Sequence, residues 1–87
     1  MGDSSYYLYT SQGCHLCEKA EQLLHLVLDE DYQKLLLVEI SESDDLMASY
    51  ALRIPVLAGS SVSGEWCELG WPFGLEELQE FFAQLKR

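Results

Sequence analysis

Positive charge is scarce in this chain. Of 87 residues only five are lysine or arginine, against fifteen aspartates and glutamates, which leaves a formal net charge of −10. A phosphate backbone repels such a surface, so nucleic acid is not an expected partner. The acidity serves solubility, and where it selects a partner, that partner is a basic protein. Long apolar runs are missing too: nothing approaches the ~20 residues of a membrane span, so no membrane association is expected. Met1-Gly2-Asp3-Ser4-Ser5 has neither the basic start nor the apolar stretch of a secretory signal, and a cytoplasmic protein is expected. Cysteine is limited to Cys14, Cys17 and Cys67. An odd number, with two members too close to staple a fold, favours a redox or metal role over a structural disulfide framework. There is no internal repeat and no low-complexity segment. A single domain over residues 1–87, a monomer with a modest core, is the expectation.

What is present is concentrated in Tyr6-Tyr7-Leu8-Tyr9-Thr10-Ser11-Gln12-Gly13-Cys14-His15-Leu16-Cys17. Tyr6–Tyr9 reads as a strand, Ser11–Gly13 as a loop, and an amphipathic helix begins at Cys14. Residues three apart on a helix are neighbours at about 5–6 Å, inside the Cα separation of about 4.4–6.8 Å that a disulfide needs, so the pair serves as dithiol or disulfide in one fold. The two sulfurs are not equivalent. Unpaired N–H groups and the macrodipole at a helix start favour a thiolate on Cys14, and such sites bring a thiol from near 8.5 to about 3.5–7.5. Cys17, one turn deeper and covered by Leu16 and Ala20, keeps its proton. Attack is assigned to Cys14 and resolution to Cys17.

Farther along, Leu16, Ala20, Leu23, Leu24, Val27 and Leu28 form one apolar stripe on a helix that ends near Asp29-Glu30-Asp31. The run Leu35–Ile40 reads as a parallel strand covered on both faces. Ser43 caps a short helix reaching about Ala51, with Leu46, Met47 and Tyr50 inward. Pro55 heads the strand Val56-Leu57-Ala58. Ser63-Gly64 then turns the chain into an antiparallel strand over Glu65–Leu69, which places Cys67 as buried apolar filler on the face of Leu69. After the loop Gly70–Gly74, Leu75, Leu78, Phe81, Phe82 and Leu85 make the inner face of a last helix, with Glu76 and Glu77 at its positive end.

With Cys-x-x-Cys opening the first helix and Ile54-Pro55 opening the third strand, the order β-α-β-α-β-β-α resembles the thioredoxin fold in its smallest, glutaredoxin form. That fold is α/β, a four-stranded mixed sheet with helices on both faces. Leu8–Cys17 with Ala20, then Arg53-Ile54-Pro55-Val56-Leu57, then Trp71-Pro72-Phe73, are similar to small bacterial glutaredoxin-like proteins over nearly the whole chain. The resemblance implies a thiol-disulfide oxidoreductase in cell redox homeostasis, with Cys14 and Cys17 catalytic. It also implies a cis Pro55 against the sulfurs and an Ile54 backbone that pairs with a bound peptide or thiol. His15, Arg53, Trp71 and Phe73 complete the candidate substrate-binding set, and the partner is a disulfide-containing protein or glutathione. The alternatives are loop-anchoring core packing for Trp71 and Phe73, balance of nearby acids for Arg53 and simple surface exposure for His15.

Glutathione-dependent glutaredoxins usually carry a basic residue before the first cysteine, Pro-Tyr between the cysteines, and Gly-Gly followed by Ser or Asp before the last helix. This chain has Ser11-Gln12-Gly13, His15-Leu16 and Gly70-Trp71-Pro72-Phe73-Gly74 there. No bound cofactor is expected, and glutathione remains open as a reductant. Zinc needs four ligands, whereas two thiols and His15 are on offer, so no metal site is expected. The competing class is a non-enzymatic module that binds a partner protein through Trp71 and Phe73, or shares an iron-sulfur cluster between two chains.

Overall fold

The computed structural model describes residues 6–87. The Met1–Ser5 stretch, expected to lack a secretory start, lies outside the described residues. Strand β1 (Tyr6–Thr10) leads to helix α1 (His15–Leu28), a 3-10 segment (Asp29–Lys34) and strand β2 (Leu35–Glu39). A short 3-10 turn (Ile40–Glu42), helix α2 (Asp44–Tyr50), strands β3 (Val56–Ser60) and β4 (Trp66–Gly70) and helix α3 (Leu75–Leu85) follow. The sheet runs β2-β1-β3-β4, with β1 parallel to β2 and antiparallel to β3, and β3 antiparallel to β4.

Strand side chains alternate, so the register sorts the sheet into two faces. One carries Leu35, Tyr6, Leu8, Leu57, Cys67 and Leu69. These pack with Ala20, Leu24 and Leu28 of α1 and Leu78, Phe81, Phe82 and Leu85 of α3 in one core. Leu8, Leu24, Leu57 and Leu78 have no exposure at all, and each such side chain stabilises by about 1.5–3 kcal/mol. On the opposite face Tyr9 stacks on Tyr50 of α2, ring centroids 4.2 Å apart, and Tyr7 lies 5.9 Å from Trp66. Helices therefore lie on both faces.

Local chemistry explains where the helices begin. Gly13 has φ +76, a left-handed conformation that suits glycine, and it turns the chain so that the Cys14 N–H donates to the Ser11 carbonyl at 3.2 Å. The Ser43 hydroxyl accepts from the Leu46 N–H at 3.3 Å, and the Glu77 carboxylate reaches back to the Gly74 N–H at 2.8 Å, each satisfying an otherwise unpaired group of a first turn.

Several readings of the sequence need correction. Leu16, Met47 and Leu75 are exposed rather than inward. The buried stripe of α1 is Cys17, Ala20, Leu24 and Leu28, one residue round from Leu16. Strand β2 is not covered on both faces: it is the outer strand, and Leu36 on the α2 face and Leu37 on the α1 face are each half exposed because β2 has a neighbour on one side only. Between the end of α1 and β2, residues 29–34, to which the sequence reading assigned no element, form a 3-10 segment.

Candidate functional site

Three pairings bring distant parts of the sequence to one end of the sheet. Tyr9 pairs with Val56, Thr10 with Glu39, and Val56 with Gly70. The loop leading to Cys14, the Ile54-Pro55 segment and the Trp71-Pro72-Phe73 loop therefore all leave the sheet at that end.

Cys14 is the N-cap of α1, partly exposed, and its sulfur accepts the Cys17 backbone N–H at 3.2 Å. Cys17 is 1% exposed. The Cα atoms lie 5.2 Å apart and the sulfurs are within bonding reach. One sulfur thus faces solvent and receives an N–H at a helix start, while the other is enclosed in protein. Beside them His15 is exposed, its Nδ1 at 3.8 Å from Glu18.

Pro55 is fully buried, and the Ile54–Pro55 peptide is cis. The Ile54 N–H donates to the Tyr50 carbonyl at 3.1 Å, so that donor is already used within the chain. Trp71 is half-buried and meets Phe73 edge-on at 5.1 Å. Phe73, 5% exposed, belongs to the core. Cys67 is half-buried against that core, and its pairing with Gly59, itself opposite Tyr6, places it toward the other end of the sheet from the pair. Among the described residues no group of three or more His, Cys, Asp or Glu is placed to hold a metal ion, and no helix is long and apolar enough to cross a membrane.

The model of the Glutaredoxin-like domain (DUF836) matches residues 6–83. The chain belongs to the glutaredoxin-like family. A structural-genomics target from X. campestris, XcR50, is 30% identical, with a TM-score of 0.74 over 91% of this chain and 96% of that one. Protein Ne2328 from Nitrosomonas europaea shares the fold at 20% identity, TM-score 0.69, over 90% of this chain and 89% of that one. No curated protein matches the sequence. The fold of this glutaredoxin-like domain is thioredoxin-like.

Two acidic residues of the glutaredoxin-like domain escaped the sequence reading. Glu68 of β4 accepts from the Tyr50 hydroxyl at 2.6 Å, the Trp66 indole N–H at 3.0 Å and the Arg53 guanidinium at 3.2 Å. Arg53, two residues before Pro55, also lies over the Tyr50 ring at 5.2 Å. This network ties the segment leading to Pro55 onto β4. Its only trace in the sequence is the polar position of Glu68 between Cys67 and Leu69. The second is Glu39, whose carboxylate accepts from the Ser41 hydroxyl at 2.8 Å and backbone N–H at 3.2 Å. Those bonds hold it below the usual carboxylate range, with further help from Ser11 and Gln12. Glu39 lines a cleft of about 230 Å³ with Thr10, Ser11, Gln12, Glu21 and Leu37, next to the loop that precedes Cys14.

Burial alone raises the Glu68 carboxyl, but the bonds from Tyr50, Trp66 and Arg53 outweigh it and hold the group below its ordinary value. Burial and Glu68 push the Tyr50 hydroxyl up. A depressed folded-state carboxyl contributes stability that is present above the unfolded value, about 4.3, and lost as pH falls through the folded one. The parent chain is therefore expected to lose more stability than Glu68→Gln between about pH 5 and pH 3, read from urea midpoints at each pH.

Proposed function

We propose that this glutaredoxin-like domain is a thiol-disulfide oxidoreductase. The observation that carries the reading is the asymmetry of the pair: Cys14 half-open at a helix start, its sulfur receiving the Cys17 N–H at 3.2 Å, and Cys17 buried within bonding reach. Negative charge on the Cys14 sulfur is favoured by that N–H and by the helix dipole. The Cys14 thiolate attacks one sulfur of a substrate disulfide, forming a mixed disulfide and expelling the other sulfur as thiolate. Cys17 then gives up its proton to solvent and attacks the Cys14 sulfur. The second substrate thiolate leaves and a Cys14–Cys17 disulfide remains, so two electrons have passed to the substrate. A thiol reductant, glutathione or a protein dithiol, restores the pair.

Around this chemistry the Ile54 carbonyl pairs with the substrate backbone, Pro55 shapes the floor, and Trp71 offers an apolar wall. Phe73 supports Trp71 from the core. Arg53 acts through Glu68 to hold the Pro55 segment, and His15 borders the entrance from the exposed face of α1. Glu18, Glu21 and Glu39 near the helix start disfavour a small anionic thiol such as glutathione. Protein disulfides are the preferred substrates.

The test is trapping. Cys17→Ser exposed to oxidised glutathione, and separately to a protein disulfide, is expected to keep a mixed disulfide on Cys14 that intact mass and peptide mapping detect. No adduct with either substrate would overturn the reading.

A further inference from the structure

Among the described residues, no strand uses the backbone groups on the outer edge of β4. The Trp71 N–H donates to the Pro55 carbonyl at 3.2 Å and the Ser61 N–H to the Glu65 carbonyl at 2.8 Å. With the register Leu57 to Leu69 and Gly59 to Cys67, these bonds fix Leu69 and Cys67 as the residues that bond inward to β3. The alternate residues Trp66, Glu68 and Gly70 therefore turn their N–H and C=O groups outward. All three are exposed, and among the described residues no strand lies beyond them. Alongside runs a cleft of about 410 Å³ between β4 and α3, floored by Leu69 and Phe81 and rimmed by Glu76, Glu77 and Glu80.

We propose that this edge accepts an extended basic protein segment as a fifth strand. Side chains of an added strand alternate, so every second one enters the cleft. Lysine or arginine fits there, its stem over Leu69 and Phe81 and its charge at the carboxylate rim. A second copy of this chain is a poor match, because its net charge is −10 and its own rim is acidic. Gly70 runs straight into the Trp71 loop at the Cys14 end, so a docked strand leads its neighbouring disulfide toward Cys14. That last step rests on the oxidoreductase reading, whereas the docking does not.

The experiment uses the isotopically labelled chain and a cysteine-free hexapeptide alternating lysine and valine, so its result is independent of thiol chemistry. The Trp66, Glu68 and Gly70 amides are expected to shift and to exchange more slowly. Affinity is expected to fall about tenfold in a Glu76→Gln/Glu80→Lys double variant, whose unchanged spectrum elsewhere shows it folded. Backbone N-methylation at alternate peptide residues, made in both registers, needs no protein variant, and one of the two registers is expected to lose binding. Equal binding of the Glu/Val counterpart, of both methylated registers or of the double variant overturns the proposal. So does a dimer whose edge amides are protected without peptide, which makes a second copy the occupant.

Discussion

On the proposed mechanism, Cys14→Ser is expected to lower the rate of disulfide reduction by roughly a thousandfold or more, since loss of a nucleophile leaves only binding and positioning effects. Cys17→Ser is expected to behave differently. With the buried sulfur gone, the Cys14 thiolate still attacks and forms a mixed disulfide, but intramolecular release is lost and turnover needs an external thiol. Reduction of a protein disulfide thus collapses in both variants, whereas single-step exchange survives only in Cys17→Ser. The asymmetry comes from the fold: the Cys14 sulfur is partly exposed and receives an N–H, and Cys17 is 1% exposed. Comparable rates for Cys14→Ser and the parent in a coupled insulin-reduction assay would remove the oxidoreductase reading.

The second large effect concerns stability. Leu24→Ala is expected to cost about 3–5 kcal/mol, the transfer term of a fully buried leucine plus the cavity left between rigid neighbours. A domain of this length has roughly 4–13 kcal/mol in total, so the variant is expected to melt more than about 10 °C lower or to be partly unfolded at room temperature. Leu36→Ala is the internal comparison. Leu36 is half exposed on the outer strand, and its loss is expected to cost about 0.5 kcal/mol or less. Urea unfolding of the two variants measures the contrast, and similar losses would mean that the core does not lie between α1 and the β1 face.

The difference between those two leucines shows where sequence reasoning reaches its limit. Periodicity reports that a residue shares a face with others, as Ala20, Leu24 and Leu28 do, so the element order and most of the core were legible. It does not report what stands opposite. Leu36 and Leu37 read as doubly covered because their run is apolar, and they are half exposed because β2 has a neighbour on one side only. The polar run Asp29–Lys34 offered no periodicity, so its 3-10 geometry was hidden. At the candidate site, Cys14 and Cys17 were legible because their relation is local to one helical turn. Glu68 was not, because its partners Tyr50 and Arg53 come from elements whose approach depends on the pairing of β3 with β4 and on how α2 lies against the sheet.

The position of β1 between β2 and β3 also shapes how a ribosome must deliver this chain. The parallel neighbour emerges soon after α1, but the antiparallel one is finished only at Ser60, and at about 5–20 residues per second the interval from Thr10 to Ser60 lasts roughly 2–10 s. Throughout that time the nascent tyrosine-rich strand keeps one flank bonded only to water, an opening for misassembly between growing chains that closes when the second half arrives.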